Sequence, residues 1–107
     1  MDNELSKLCE RVSQISGWED QSYYNGHSYV PLYTSDYILE KLPLSINAGL
    51  SRAVDMFLVI DRPKSLKYQY RAFYTAPSYG KRHEVIAGTP RKALLKLTIA
   101  LHEAGEL

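Results

Sequence analysis

The residues with the clearest chemical potential are five cations in the second half of the chain: Arg91, Lys92 and Lys96, with Lys81 and Arg82 upstream of them. Gly88-Thr89-Pro90 reads as a helix start. The Thr89 hydroxyl suits the cap, and Pro90 suits the first helical position, where its missing N–H costs nothing. Arg91 and Lys92 then fall in the first turn, where the positive end of the helix dipole disfavours each by roughly 0.3 to 1 kcal/mol. Lys96 follows Lys92 at the like-charge i,i+4 spacing, at a cost of about 0.2 to 0.5 kcal/mol. Cations held against local preference beside helix-start amides define a candidate anion-binding site, which Lys81 and Arg82 extend. The competing reading is that acids such as Asp61 and Glu84 pair with them across the fold.

Other chemistry finds little support. His27, His83 and His102 are far apart and fit no metal-ligand spacing. Asp36 and Glu40, one helical turn apart, read as ordinary helix-start carboxylates. Cys9 falls on the apolar face of a helix, as a small core residue rather than a nucleophile. No serine sits in a nucleophile-elbow motif, and a single glycine before Thr89 is too few for a phosphate cradle. No catalytic residue, metal ligand or cofactor is expected, and an enzyme is the least supported function.

The cations need elements to hold them. From Pro90, Ala93, Leu94, Leu97, Ala100, Leu101 and Ala104 share one helical face, and Gly105 supplies the stop. Leu95 and Ile99 fall off that stripe and are candidate interface residues for another helix or subunit. Near the N-terminus, Leu5, Leu8, Cys9, Val12 and Ile15 predict a helix over residues 3–16, with Asp2 as its cap and Gly17 as its end. Thr34-Ser35-Asp36 starts a shorter helix, which supplies Ile38, Leu39 and Leu42 to the core and ends at Pro43. Asn25-Gly26 marks a short hairpin.

Three strands are expected between the second and last helices. Asp55 to Ile60 holds a continuous apolar run, the pattern of a strand covered on both faces. Residues 67–76 alternate, and Glu84 to Ala87 lead into the last helix. Asp61-Arg62-Pro63-Lys64-Ser65 and Pro77-Ser78-Tyr79-Gly80 are the turns, and residues 44–53 read as loop. The expectation is a single α+β domain over residues 1–107: a three-stranded antiparallel sheet with N-terminal, short middle and C-terminal helices packed on it.

The 107 residues carry a net charge of +1, unevenly distributed. Residues 1–60 are net −4, residues 61–96 net +7 and the remainder net −2, a basic segment that permits an anionic partner. The lone cysteine fits a reducing compartment and rules out an internal disulfide framework. Asp2-Asn3-Glu4 does not open a signal peptide, and no apolar run approaches membrane-spanning length. A cytoplasmic protein without membrane contacts is expected.

Three stretches together carry a resemblance: Gly17-Trp18 closing the first helix, Pro31-Leu32-Tyr33-Thr34-Ser35-Asp36 before the second, and Thr89-Pro90 opening the Ala/Leu-rich third. The chain resembles the phage ABA sandwich domain family, small proteins of bacteriophages and prophages. The resemblance implies layers of helix, sheet and helix in a bacterial host's cytoplasm, and assigns no residue a role. A non-catalytic binding or accessory protein follows, with a protein partner or a second copy as ligand; the nine tyrosines suit such an interface. The alternative is a nucleic-acid-binding module laid out like a double-stranded RNA-binding domain, which reads shape and phosphates.

Overall fold

The computed structural model describes residues 3–18, 23–24, 29–30, 32–43, 45–47, 55–65, 67, 69–76 and 80–105. Its helices are α1 (Asn3–Ser16), α2 (Ser35–Lys41) and α3 (Pro90–Glu103). Its strands are β1 (Tyr23–Tyr24), β2 (Tyr29–Val30), β3 (Ser45–Asn47), β4 (Asp55–Asp61), β5 (Tyr70–Ala76) and β6 (Gly80–Ala87). The fold is α+β, and the expected antiparallel meander is β4-β5-β6. The short β3 adds a fourth strand beside β4 within the segment read as loop, and β1 pairs with β2 as a separate hairpin. Asp2, Asn25, Gly26 and the reversal at 77–79 lie outside the described residues.

Local chemistry sets the helix ends. Gly17 takes φ 68°, which a β-carbon would disfavour, and its N–H reaches Ser13 O at 3.2 Å. Trp18 then packs edge-on against Tyr33, ring centroids 6.1 Å apart, and Tyr33 Oη donates to Trp18 O at 2.9 Å. The end of α1 is thereby tied to the entry of α2. There the Thr34 hydroxyl accepts from Tyr37 N, and at α3 the Thr89 hydroxyl accepts from Lys92 N, each at 3.2 Å. Gly105 follows α3 at φ 74°.

Leu5, Cys9 and Val12 bury one face of α1, and Ile38 and Leu42 anchor α2, while Leu39 is 38% exposed. Helix α3 is the centre of the core. Ala93, Leu94, Leu95, Leu97, Thr98 and Leu101 are all buried, more than a single stripe holds, because α3 lies on β5 and β6 and also receives α1 and α2. The Thr98 hydroxyl is satisfied by Leu94 O at 2.9 Å.

The meander contributes alternate residues to this core: Met56, Leu58 and Ile60 of β4, Ala72, Tyr74 and Ala76 of β5, and Val85 and Ala87 of β6. Tyr74 is fully buried, and its hydroxyl donates to Pro43 O at 2.7 Å. Among the described residues, helices cover the β4 run on one face only, whereas its composition predicts cover on both. Phe57, pointing the other way, is 56% exposed, because α1 and α2 stack on α3 instead of crossing to the opposite side of the sheet.

Candidate binding site on the open sheet face

Period-two alternation sends Phe57, Val59 and Asp61 of β4, and Arg71, Phe73 and Thr75 of β5, to the face away from the helices. On β6 the alternation changes phase. His83, at φ 60°, makes a bulge that shifts the register between Ala72 and Tyr74. Ile86 pairs with Arg71 and Lys81 with Thr75, whereas Arg82 pairs with Tyr74. The bulge therefore puts Lys81 on the open face and Arg82 on the helix side.

Asp61 and Arg71 are directly paired across β4 and β5. Arg71 donates to both carboxylate oxygens, Nε to Oδ1 at 2.8 Å and Nη2 to Oδ2 at 2.5 Å. Its Nη1 is 3.7 Å from Glu84 Oε2, which Lys81 Nζ approaches to 3.6 Å. A chain of alternating charge thus crosses three strands. Arg71 lies 5.1 Å and Lys81 5.4 Å from the Phe73 ring centre, and this ring is only 4% exposed although it points away from the helices. The hydrogen bonds from Arg71 hold the Asp61 carboxyl below the usual carboxylate range, and the same pair raises the guanidinium further.

The candidate anion site is arranged differently from its expectation. Asp61 and Glu84 pair with Arg71 and Lys81, not with the cations of α3. Lys92 Nζ lies 3.7 Å from Glu4 Oε1 of α1, and Lys96 Nζ donates to Ile86 O at 3.0 Å. Arg91 is half-buried. Lys81 and Arg82 occupy the far end of β6, about 20 Å from its junction with α3 at the usual strand rise. They do not join Arg91, Lys92 and Lys96 in one cluster.

Of the two interface candidates, Leu95 has no exposed surface and Ile99 is half-buried against the core. Of the tyrosines considered for base stacking, Tyr74 is buried and Tyr70 half-buried under Arg62, 5.5 Å from its ring centre; Tyr68 lies outside the described residues. Sequence reasoning missed the grouping of Phe57, Asp61, Arg71 and Glu84. The alternation of β4 and β5 was its available signal.

Cys9 is fully buried in α1, and burial pushes its thiol up despite a hydrogen bond from the Tyr33 backbone and the nearby charge of Arg91. Among the described residues, no cluster of three or more His, Cys, Asp or Glu side chains is placed to hold a metal ion, and no helix is long and apolar enough to cross a membrane. Comparison with family models, curated proteins and solved structures gives no match.

Proposed function

We propose that this is a non-catalytic binding protein that docks partners on the open face of its sheet. The observation that carries this reading is Phe57: a large ring, 56% exposed, on a face the described helices leave uncovered. With Ile86, 36% exposed, it flanks a ready-made set of paired charges, the mixture of apolar anchors and oriented polar groups that protein interfaces use. A phage or prophage accessory protein acting in the bacterial cytoplasm is part of the same proposal, supported by the resemblance of the helix-flanking stretches.

Recognition of nucleic acid through the start of α3 is less well supported. Thr89 takes up the amide of Lys92, and Glu4 offsets its charge. The test is affinity capture from a bacterial host extract with the wild type and with Phe57→Lys. Partners held by the wild type and lost by a folded Phe57→Lys support the open face; identical captures by both proteins overturn it.

A further inference from the structure

We propose that the open sheet face is the contact surface for a second copy of this chain, packed face to face across a two-fold axis. This rests on the reading of the open face as a docking surface and names its occupant. The register arranges the outward residues as a grid of three strands by three rows. Asp61, Arg71 and Ile86 form one row, and Phe57, Thr75 and Lys81 the row at the other end. Val59, Phe73 and Glu84 lie between them, with Glu84 beside the bulge.

In this grid Asp61 and Lys81 occupy opposite corners, and Phe57 and Ile86 occupy the other two. At the usual strand spacings, a two-fold axis along the Phe57–Phe73–Ile86 diagonal brings Asp61 within about 5 Å, in projection, of Lys81 of the second copy, a gap the lysine side chain spans, and Arg71 within about 3 Å of its Glu84. Both contacts occur twice by symmetry. The exposed apolar side chains, Phe57 and Ile86, lie on the axis and meet their own equivalents, while Phe73 between them stays beneath Arg71 and Lys81; this is the self-complementarity that an isologous contact requires. In-plane axes parallel or perpendicular to the strands oppose Phe57 to Lys81 or to Asp61. The other diagonal sets Asp61 against Asp61 and Lys81 against Lys81. Charge and apolar complementarity therefore select one arrangement.

Strand spacing of about 4.8 Å and a two-residue repeat of about 6.6 Å incline the diagonal at about 36° to the strands. The two sheets then cross at about 70°, towards the orthogonal class of sheet packing. The two acids and two cations balance, so the surface favours a matching surface over a polyanion. The grid is smaller than the roughly 800 Å² per partner of a standard interface, so the dimer is concentration-dependent.

The test is sedimentation equilibrium of the full chain, with circular dichroism to verify folding. The wild type shifts from monomer towards dimer mass as concentration rises. Asp61→Lys or Lys81→Glu alone weakens association by about tenfold or more, because each sets like charges together. Mixing the two variants restores association, since both symmetry-related contacts then regain opposite charge. Phe57→Cys, on the axis, forms a disulfide-linked dimer under mild oxidation, whereas Lys64→Cys, in an exposed turn, does not.

If Asp61→Lys fails to fold, Lys81→Glu and the cysteine pair decide the matter. A monomer at every concentration, or a dimer indifferent to Lys81→Glu and not cross-linked through Phe57→Cys, overturns the proposal. If the chain is monomeric but Phe57→Lys loses a heterologous partner in the capture experiment, the two-fold dimer falls and the docking face stands. If the chain is monomeric and Phe57→Lys changes nothing in the capture experiment, both fall.

Discussion

Glu4, at the start of α1, and Lys92, in the first turn of α3, stand 3.7 Å apart. The first turn of α3 has no acid of its own, so the counter-charge comes from another helix. Glu4 is 54% exposed, and solvent limits such a pair to about 0 to 1 kcal/mol. Arg91→Ala combined with Lys92→Ala is expected to leave the salt concentration for elution from a duplex-RNA column unchanged. Earlier elution of the double variant would restore the start of α3 as an anion site.

Acid stability tests the Asp61–Arg71 pair. The folded carboxyl titrates below its unfolded value, so the unfolded chain binds the proton more readily. The resulting stability is present above the unfolded pKa and is lost as pH falls through the folded one. Asp61→Asn should therefore lower the melting temperature at neutral pH, and the gap from wild type should close below about pH 4. A gap that stays constant with pH would dissociate this carboxylate from the effect.

Leu95 has no exposed surface, so its truncation acts on folding. Leu95→Ala is expected to cost about 2 to 5 kcal/mol in urea unfolding, the range for a large-to-small change in a packed core. A loss below about 1 kcal/mol would contradict the burial of this side chain between α3 and its neighbours.

His83 is the only described non-glycine residue with positive φ. An L-residue there gives up roughly 1 to 2 kcal/mol. His83→Gly should fold with undiminished stability, and His83→Val should be less stable by a margin of that order, since a β-branched side chain fits this conformation poorly. Thermal melts of the two variants compare them directly; equal stabilities would remove the bulge from consideration.

The Cys9 thiol is fully buried and shifted up by desolvation. Native protein should react slowly with a thiol reagent and fully once denatured. Folding favours the neutral thiol, so its contribution is present below about pH 8.5 and is lost as pH rises through the folded pKa. Cys9→Ser should accordingly flatten the alkaline decline in melting temperature. An unchanged alkaline slope would show that Cys9 does not contribute to it.

The helices were legible because their signals are local. Thr34, Thr89 and Gly17 act within a turn of their own position, and each stands where its chemistry placed it. The central strands were legible for a similar reason, since Asp55 to Ile60 has no other economical use. The open face was not legible. Whether Phe57 meets a helix or solvent depends on α1 and α2 choosing α3 as their support, a tertiary outcome that the β4 composition does not encode. The phase of β6 was hidden as well: alternation carried back from Ile86 through Glu84 points Arg82 outward, and only the extra residue at His83 substitutes Lys81. The cations of α3 were correctly noticed as locally unfavourable, but the Glu4 partner of Lys92 lies 88 positions away in the chain.

The ammonium of Lys96 on Ile86 O has a consequence for how these molecules can accumulate. β6 is the outermost strand of its sheet, and an unblocked strand in that place invites another molecule to continue the ladder without end. Here the strand is bent at His83, bristles with Lys81, Arg82 and Glu84, and has one main-chain carbonyl already taken. Fibre-like growth is discouraged at that border, whereas the proposed face-to-face contact would close on itself after two molecules.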